Sequence, residues 1–278
     1  MGPRSRLAIG LAGRLVGLAT ALTLLASAGS PGQEPRPALA DFKLKVAEYG
    51  LGREPVSTSE IVFRKGRAYV FSSDSKEVII VEPQQKRVDL VDVGRMVQSE
   101  VSFASLDEGL DKVRLTLRRA AEEREKAGGR GNVLEAKMTR DLFETALAVA
   151  PGSGPGRVRL TNPAVEVEAT GEPDLDEARL AMVADVLGSI ARLGAYRSPN
   201  DLPPFAELAA IAALTGERRL RPTEVSYLYR LAGPPKKFRR TYRFVLTLTD
   251  REVEAVSRIS RLQESAPNLR YPRYLQPR

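Results

Sequence analysis

Ser73-Asp74-Ser75-Lys76 matches the Ser-x-x-Lys spacing of serine acyl-enzymes, in which a neighbouring lysine activates the serine hydroxyl. Such enzymes place the serine at the start of a helix and carry a second lysine motif, Lys-Thr-Gly, further along the chain. Here the four residues lie between two predicted strands, and no Lys-Thr-Gly follows. Because Ser and Asp favour turns through local hydrogen bonds, the pattern predicts a turn rather than a nucleophile.

Other catalytic chemistry is restricted by what the sequence lacks, since it contains no Cys, no His and no Trp. Thiol nucleophiles, imidazole bases, disulfides and Cys or His metal sites are therefore excluded. Asp174, Asp176 and Glu177 could bind calcium, but they lack the further oxygen ligands and the turn glycine of a loop site. We interpret them as helix-capping and first-turn acids, and we expect no metal and no cofactor. A hydrolase that uses paired carboxylates stays open as an unfavoured hypothesis.

The stretch KKFRRTYR, residues 236 to 243, combines cations with aromatic side chains, a mixture that binds phosphates while stacking bases. It follows Gly233-Pro234-Pro235, which predicts a loop and then a strand whose alternate residues face solvent. We interpret it as an ordinary exposed strand. The alternative is a site for an anionic ligand such as a lipid head group or a wall polymer, and nucleic acid is not expected. The candidate anion-binding residues are Lys236, Lys237, Arg239, Arg240 and Arg243.

The first 28 residues have the pattern of a signal peptide. Three arginines precede an apolar run from Leu15 to Leu25, and Ala26-Ser27-Ala28 supplies small residues at the cleavage position. This run is short, because a membrane span needs about 20 apolar residues. We therefore predict that the protein is exported and that its mature form is periplasmic or extracellular. An uncleaved anchor or a different start codon is the alternative.

The rest of the chain has the composition of a globular protein, with 42% hydrophobic and 28% charged residues overall. Residues 29–40, GSPGQEPRPALA, predict a flexible linker. Residues 41–278 are expected to form a single domain, in which no segment is apolar enough to span a membrane. Without the leader's three arginines, 40 basic and 35 acidic residues remain. We interpret this mildly basic balance as an ordinary surface.

The pattern of residues 61 to 92 predicts four short strands in succession, after a first strand at 42–49. Lys65-Gly66 joins two alternating runs and predicts a two-residue hairpin turn in which Gly66 has a positive φ. The segment Val78 to Val81 is apolar on both faces, which predicts a central strand covered on each side. The pairs predicted to share one face of a strand are Ile61 with Phe63, and Tyr69 with Phe71.

Four helices are predicted from capping residues and from apolar residues at helical spacing. The first begins with a capping box of Ser105 and Glu108 and ends at Gly128-Gly129. Its apolar stripe, which should pack on the sheet, consists of Leu106, Leu110, Val113, Leu117 and Ala120. The other helices are predicted from a capping pair of Asp174 and Glu177 to Gly194, from Asp201 to Gly216, and from a capping pair of Thr249 and Glu252 to about Glu264.

The remaining segments are predicted strands, and together with the helices they indicate an α+β fold. Residues 132–149 fit either a helix or a strand, and we predict a strand from Leu142 to Val149 because a hairpin pattern follows. Further strands are predicted at 157–161, 163–170, 225–231 and 242–248. A large antiparallel sheet of this kind curves, and it could form an unclosed half-barrel with about four helices packed on it.

The strand run EVIIVEP followed by QQKRVDLVD resembles the LolA-like periplasmic carriers, in which consecutive strands form an unclosed barrel over an apolar cavity. This resemblance covers residues 43 to 93. The stretches FRKGRAYVF and LPPFAEL are also similar to exported bacterial proteins with no assigned activity. The chain departs from the carriers by its long helix after the fifth strand and by its lack of tryptophan. The resemblance implies binding of a lipid, an acyl chain or a lipoprotein.

Our first hypothesis is an exported, non-catalytic protein that binds an apolar or amphipathic ligand, or a partner protein, on a curved sheet. The candidate lining residues are Phe63, Tyr69, Phe71, Ile80 and Tyr227, although for each of them an ordinary core position is the favoured interpretation. The second hypothesis is an envelope scaffold in which the sheet face is filled and the basic hairpin binds an anionic polymer. An open apolar cavity favours the first hypothesis, and a face filled by Leu106 to Leu117 favours the second.

Overall fold

The computed structural model describes residues 40–198, 202–230 and 234–276. The predicted signal peptide at 1–28 and all but the last residue of the predicted linker at 29–40 lie outside these described residues. Export and localisation therefore stay predictions from the sequence.

Eleven strands in the described residues form one antiparallel sheet. They are β1 (Phe42–Tyr49), β2 (Ser57–Arg64), β3 (Arg67–Ser72), β4 (Glu77–Glu82), β5 (Arg87–Asp92), β6 (Val97–Ser102), β7 (Ala148–Val149), β8 (Arg157–Thr161), β9 (Val165–Pro173), β10 (Leu220–Tyr229) and β11 (Lys236–Val245). Their order is β6-β5-β4-β3-β2-β1-β11-β10-β9-β8-β7. The strands β1 to β6 form one meander and β7 to β11 form a second, and the two are joined where β1 pairs with β11. The sheet is not closed into a barrel. These observations confirm the predicted α+β class with a large curved antiparallel sheet.

Six α-helices accompany the sheet in the described part of the chain, rather than about four. They are α1 (Phe103–Ala127), α2 (Arg130–Asp141), α3 (Glu177–Arg197), α4 (Phe205–Ala212), α5 (Asp250–Ser265) and α6 (Tyr271–Tyr274), together with a 3-10 turn at Pro83–Gln85 and a π-helical segment at Ala213–Glu217. None of these helices is both long enough and apolar enough to cross a membrane.

The turn between β2 and β3 fixes which residues face each side of the sheet. Lys65 and Gly66 both have positive φ values, 49° and 75°, which is the conformation of a type I′ hairpin turn and confirms the prediction there. A two-residue turn sets the register, so Phe63 pairs with Ala68 and Val62 pairs with Tyr69. Because paired residues share a face, Tyr69 lies on the face opposite to Phe63. We call the face of Phe63 the inner face and the face of Tyr69 the outer face.

The inner face carries the larger of the two main cores. Phe42 and Phe63 stack there with ring centroids 4.2 Å apart, and α3, α4 and the start of α1 pack over them. On the outer face, α5 places Val256 and Ile259 against a second core formed by β2 to β5. Each buried side chain of this size contributes roughly 1.5–3 kcal/mol of stabilisation. The sheet is therefore held from both sides, and α5 is the described helix that contributes to the outer core.

Several predicted helix boundaries are corrected. The N-cap of α1 is Ser102, whose hydroxyl accepts a hydrogen bond from the Ser105 amide at 3.1 Å, so the predicted capping box at Ser105 is wrong. The N-cap of α3 is Asp176 rather than Asp174, and the helix continues past Gly194 to Arg197. The capping box of Thr249 and Glu252 is confirmed at the start of α5.

The strand predicted from Leu142 to Val149 is wrong for most of its length. The helix-forming residues before it make α2, which packs on α1, and only Ala148 and Val149 pair with β8. Phe143 and Leu147 instead reach the inner core from the connecting loop. These two apolar residues therefore anchor a loop to the core, and their alternating pattern in the sequence does not come from a pleated strand.

The C-terminal segment covers the edge of β6. The Gln98 amide donates to the Pro267 carbonyl at 3.1 Å, and the Leu269 amide donates to the Gln98 carbonyl at 2.8 Å. Beyond this contact the Tyr274 ring is buried in the inner core, and its hydroxyl donates to Glu77 Oε2 at 2.6 Å. Arg95 donates to the carbonyl of Tyr274 at 2.6 Å. The Tyr- and Arg-rich tail is thus an integral part of the fold.

Candidate functional site

A cavity of about 1060 Å³ opens on the inner face, between the sheet and the helices. The sheet side consists of β1, β11 and β10, and the opposite side consists of α1, α2 and α3. Apolar lining residues are Leu117, Ala120, Leu142, Ile190, Ala191, Tyr227, Tyr229 and Phe238. The residues Leu202 to Pro204 close part of one side. This volume is slightly above the range, about 300–1,000 Å³, that is typical of small-molecule sites.

The cavity exists because the apolar stripe of α1 is longer than the surface it packs against. Leu106 lies in the inner core, and Leu110 and Val113 pack against Ala195 of α3. The next two residues of the stripe, Leu117 and Ala120, line the cavity, and Leu117 also packs at the edge of the Leu110 and Val113 cluster. The residues of the predicted stripe are correct, but the prediction that the stripe packs on the sheet is wrong beyond Leu106, because Leu110 and Val113 pack on other helices.

One ionic cluster stands in the wall of the cavity. Arg240 on β11 contacts Glu48 on β1, its cross-strand partner, with Nε and Nη2 both 3.1 Å from Glu48 Oε2. Its Nη1 donates to Glu207 Oε1, which belongs to the first turn of α4. One guanidinium therefore joins two strands of the sheet to a helix above it.

Burial sets the charges of this cluster. Burial raises the pKa of Glu207, the positive charge of Arg240 opposes that rise, and the negative charge of Glu48 adds to it. Burial alone would lower the pKa of Arg240, but Glu207 and Glu48 outweigh it and hold that pKa far above its ordinary value. The guanidinium therefore stays charged, and the Glu207 carboxylate is costly to keep ionised.

Two tyrosine hydroxyls near the cluster have no hydrogen-bond partner among the described residues, Tyr227 and Tyr242. Both side chains are only 5% exposed. Burial raises the pKa of each phenol, so both stay protonated and able to donate or accept a hydrogen bond. Buried polar atoms are usually satisfied, so these hydroxyls mark places where water or a ligand completes the site.

A smaller cavity of about 100 Å³ lies against the same cluster. It is lined by Ser57, Ser59 and Tyr242, and it shares Glu48, Glu207 and Arg240 with the larger cavity. The ionic cluster is therefore a common wall between the two cavities. Polar walls and this volume suit a few ordered waters, which would satisfy the Tyr242 hydroxyl.

The five residues predicted to bind an apolar ligand do not come together. Tyr227 lines the large cavity, whereas Phe63 is in the inner core against Phe42. Tyr69, Phe71 and Ile80 lie on the outer face under α5, where the Tyr69 hydroxyl is 3.0 Å from Ser260 Oγ. Four of the five side chains therefore serve as core residues in this fold.

The five predicted anion-binding cations are divided by the alternation of β11. Lys236 and Arg240 point to the inner face and line the cavity. The other three, Lys237, Arg239 and Arg243, lie on the outer face, where Arg239 stacks over the Tyr49 ring at 4.3 Å. Because Arg240 is bound by two carboxylates, Lys236 is the cavity cation that can still meet an anion.

The other motifs singled out in the sequence have structural contacts, although Asp174 does not cap α3. Ser73 and Asp74 form a turn between β3 and β4, and the Ser73 hydroxyl donates to the Asp74 carboxylate. Asp174 binds the Arg179 guanidinium through both carboxylate oxygens, at 2.9 and 2.6 Å. Among the described residues, no group of three or more carboxylates is arranged to hold a metal.

Sequence reasoning missed Glu48 and Glu207, the two carboxylates of the cavity wall. For Glu48 a signal existed, because it shares a face of its strand with the apolar Leu44 and Val46 and is thus an acid on a buried face. For Glu207 the signal was slight, because an acid in the first turn of a helix is normal. Its partner is 33 residues away and is fixed only by the fold.

Neither a protein-family model nor a curated protein matches the sequence. Function must therefore be inferred from the cavity and its side chains.

Proposed function

We propose that this chain is an exported, non-catalytic protein that binds an amphipathic ligand in the cavity of its inner face. The observation that carries the proposal is the cavity of about 1060 Å³ beside the ionic cluster. An apolar chain would lie along Leu117, Ile190 and Phe238, and the polar end would reach the cluster. Support for export comes only from the leader pattern in the first 28 residues.

The distribution of polarity in the wall favours an amphipathic ligand over a purely apolar one. Burying a polar group without a partner costs about 1–3 kcal/mol, so an alkane in this cavity would leave the Tyr227 hydroxyl uncompensated. A ligand with one polar end could satisfy that hydroxyl and still bury its chain. Lipid binding by the LolA-like carriers, which the strand pattern resembles, agrees with this reading by analogy of fold.

The two alternative functions are less well supported. A scaffold with a filled sheet face is disfavoured because Leu117 and Ala120 line open space. A carboxylate hydrolase needs two carboxyl groups about 5–9.5 Å apart with the substrate between them. Glu48 and Glu207 do lie in one cleft, but Arg240 occupies the position between them and binds both.

The experiment that tests the proposal is native mass spectrometry of the protein purified from an envelope fraction, followed by organic extraction. A retained lipid or acyl compound supports the proposal. The variant that tests the location is Gly194→Leu. Gly194 lies in α3, lines the cavity, and offers a new Cβ no atom within 4 Å. The leucine should occupy ligand space and reduce the retained ligand at least about tenfold.

A matched control comes from Gly131 in α2, which also has no atom within 4 Å of an added Cβ and does not line the cavity. Both substitutions replace a helical glycine, so each should raise the free energy of unfolding by about 0.5–1 kcal/mol. Gly131→Leu should keep the ligand. If both variants keep it equally, or if the wild-type protein never carries any, the cavity is not the binding site.

A further inference from the structure

The charged side chains of the cavity wall pair one to one among the described residues except at two places, the ionic cluster and Lys236 at the rim. Arg124 pairs with Glu135 at 3.3 Å, and Arg197 pairs with Glu77 at 2.8 Å. At the cluster, however, the single positive charge of Arg240 faces two carboxylates, so one negative charge is left over. The Glu207 side chain is 14% exposed and that of Glu48 is 32% exposed, so this excess charge lies largely out of bulk water. An uncompensated buried charge is costly, and it is relieved by a cation or by a proton.

The unused hydrogen-bonding atoms of the cluster are acceptors. The contacts to Arg240 use Glu48 Oε2 and Glu207 Oε1. The second oxygen of each carboxylate receives no hydrogen bond from the described residues. The Tyr227 hydroxyl, which is equally unpartnered, can accept as well. A group that donates several hydrogen bonds and carries one positive charge would fit this set, and an ammonium group has both properties.

Resting on the proposed function, we infer that the cavity selects amphiphiles whose polar end is an ammonium group, which Glu48, Glu207 and Tyr227 receive. A carboxylate or phosphate end would meet two glutamates there and would have to displace one of them from Arg240. Lys236 is on the same face of β11, four residues and about 13 Å away, at the exposed start of the strand. Anionic amphiphiles are therefore restricted to the rim.

The test is calorimetric titration at pH 7 with three probes of equal chain length, all below their micelle concentrations: decylammonium, decanoate and the neutral decyl glucoside. Decylammonium should bind at least about tenfold more tightly than either of the others. A lysophospholipid with an ethanolamine head group then distinguishes the two compounds that could supply the ammonium group, a lipid head group and a simple long-chain amine. Competition with decylammonium indicates a lipid head group, and lack of competition indicates a simple long-chain amine.

The variant that removes the excess charge is Glu207→Gln, which leaves a balanced pair of Arg240 and Glu48. It should weaken decylammonium binding about tenfold and leave decyl glucoside binding within about twofold. Glu48→Gln should also weaken decylammonium binding, and it keeps the test usable if the Glu207→Gln variant does not fold. Glu125→Gln is the control, because Glu125 pairs with Arg140 between α1 and α2 and does not line the cavity. Lys236→Gln should weaken only decanoate.

The outcomes separate the two proposals. If none of the three probes binds, the amphiphile-binding function itself fails, and the head-group inference fails with it. If all three bind equally, or if decanoate is preferred, binding stands and the selection of ammonium is overturned. An unchanged decylammonium affinity in both Glu207→Gln and Glu48→Gln would also overturn it.

Discussion

Two arginines, one on each face of the sheet, each contact more than one carboxylate, and their surroundings differ. On the inner face Arg240 lies between Glu48 and Glu207. On the outer face Arg87 lies 3.0 Å from Glu82 Oε1 and 3.5 Å from Asp89 Oδ2, both buried, and 3.2 Å from Oε2 of the exposed Glu100. The outer cluster has additional protein partners. The inner cluster has a cavity in their place.

The additional partners of the outer cluster come from β3 and α5. Arg67 supplies a second cation 3.2 Å from Glu82, and the Gln263 amide donates to Asp89. Burial would raise the pKa of Glu82, but the arginines Arg87 and Arg67 outweigh it and lower that pKa. The comparison teaches that this fold can complete such a cluster with its own side chains, so the incomplete cluster beside the cavity is a feature of the site.

The largest expected effect comes from removing each arginine. Arg87→Met leaves two carboxylates sealed under α5 and should lower the free energy of unfolding by about 3–5 kcal/mol. Arg240→Met leaves its carboxylates beside a cavity that water can enter, and should cost only about 1–3 kcal/mol. Urea unfolding of both variants measures the difference. An equal or larger loss in Arg240→Met would show that the inner cluster is as closed as the outer one.

A smaller effect concerns the pH dependence of stability that Asp89 of the outer cluster contributes. Burial raises the pKa of Asp89 to about 7, although Arg87 opposes the rise. Between about pH 4 and pH 7 the folded protein therefore keeps a proton that the unfolded chain has released. The free energy of unfolding should fall as pH rises through this window, by about 3 kcal/mol, because the folded state binds more protons.

Asp89→Asn tests this pH dependence. The asparagine cannot ionise but keeps an acceptor for the Gln263 amide. The difference in unfolding free energy between pH 5 and pH 8 should therefore be about 2 kcal/mol smaller in the variant than in the wild type. Urea melts at both pH values measure it. A variant with the same pH dependence as the wild type would assign the titration to other groups.

The smallest effect compares two buried tyrosine hydroxyls. Tyr69 on the outer face has a partner, Ser260, so Tyr69→Phe should cost about 1 kcal/mol. Tyr227 in the cavity has none among the described residues, so Tyr227→Phe should change the unfolding free energy by less than about 0.5 kcal/mol. Thermal melts without ligand measure both. A clear loss in Tyr227→Phe would mean that tightly held water already completes that hydroxyl.

Much of the fold could be predicted because its signals are local. Gly66 permits the turn that starts the meander, and the capping box of Thr249 and Glu252 begins α5, and both were correctly located. The error at Leu142 to Val149 arose because a short alternating run cannot distinguish a strand from a loop with two anchored side chains. That choice is decided by the packing of α2 on α1, which is a tertiary contact.

The candidate site was harder to predict because it depends on combining faces from distant strands. Within β2 and β3 the two-residue turn would have sufficed to place Tyr69 opposite Val62, and so away from Phe63. No such rule connects β3 to β10, so the place of Tyr227 relative to Tyr69 required the whole sheet. The contact of Glu207 with Arg240 required, in addition, the position of α4.

The C-terminal segment that covers β6 has a consequence for self-association. An uncovered edge strand presents a row of free backbone amides and carbonyls that can pair with another chain, and aggregation by edge-to-edge pairing begins there. At one edge of this sheet, residues 267–269 already occupy those groups at Gln98. The opposite edge, β7, is only two residues long. Residues 267–269 therefore protect the β6 edge from fibril-like stacking, and removing them would expose a template for it.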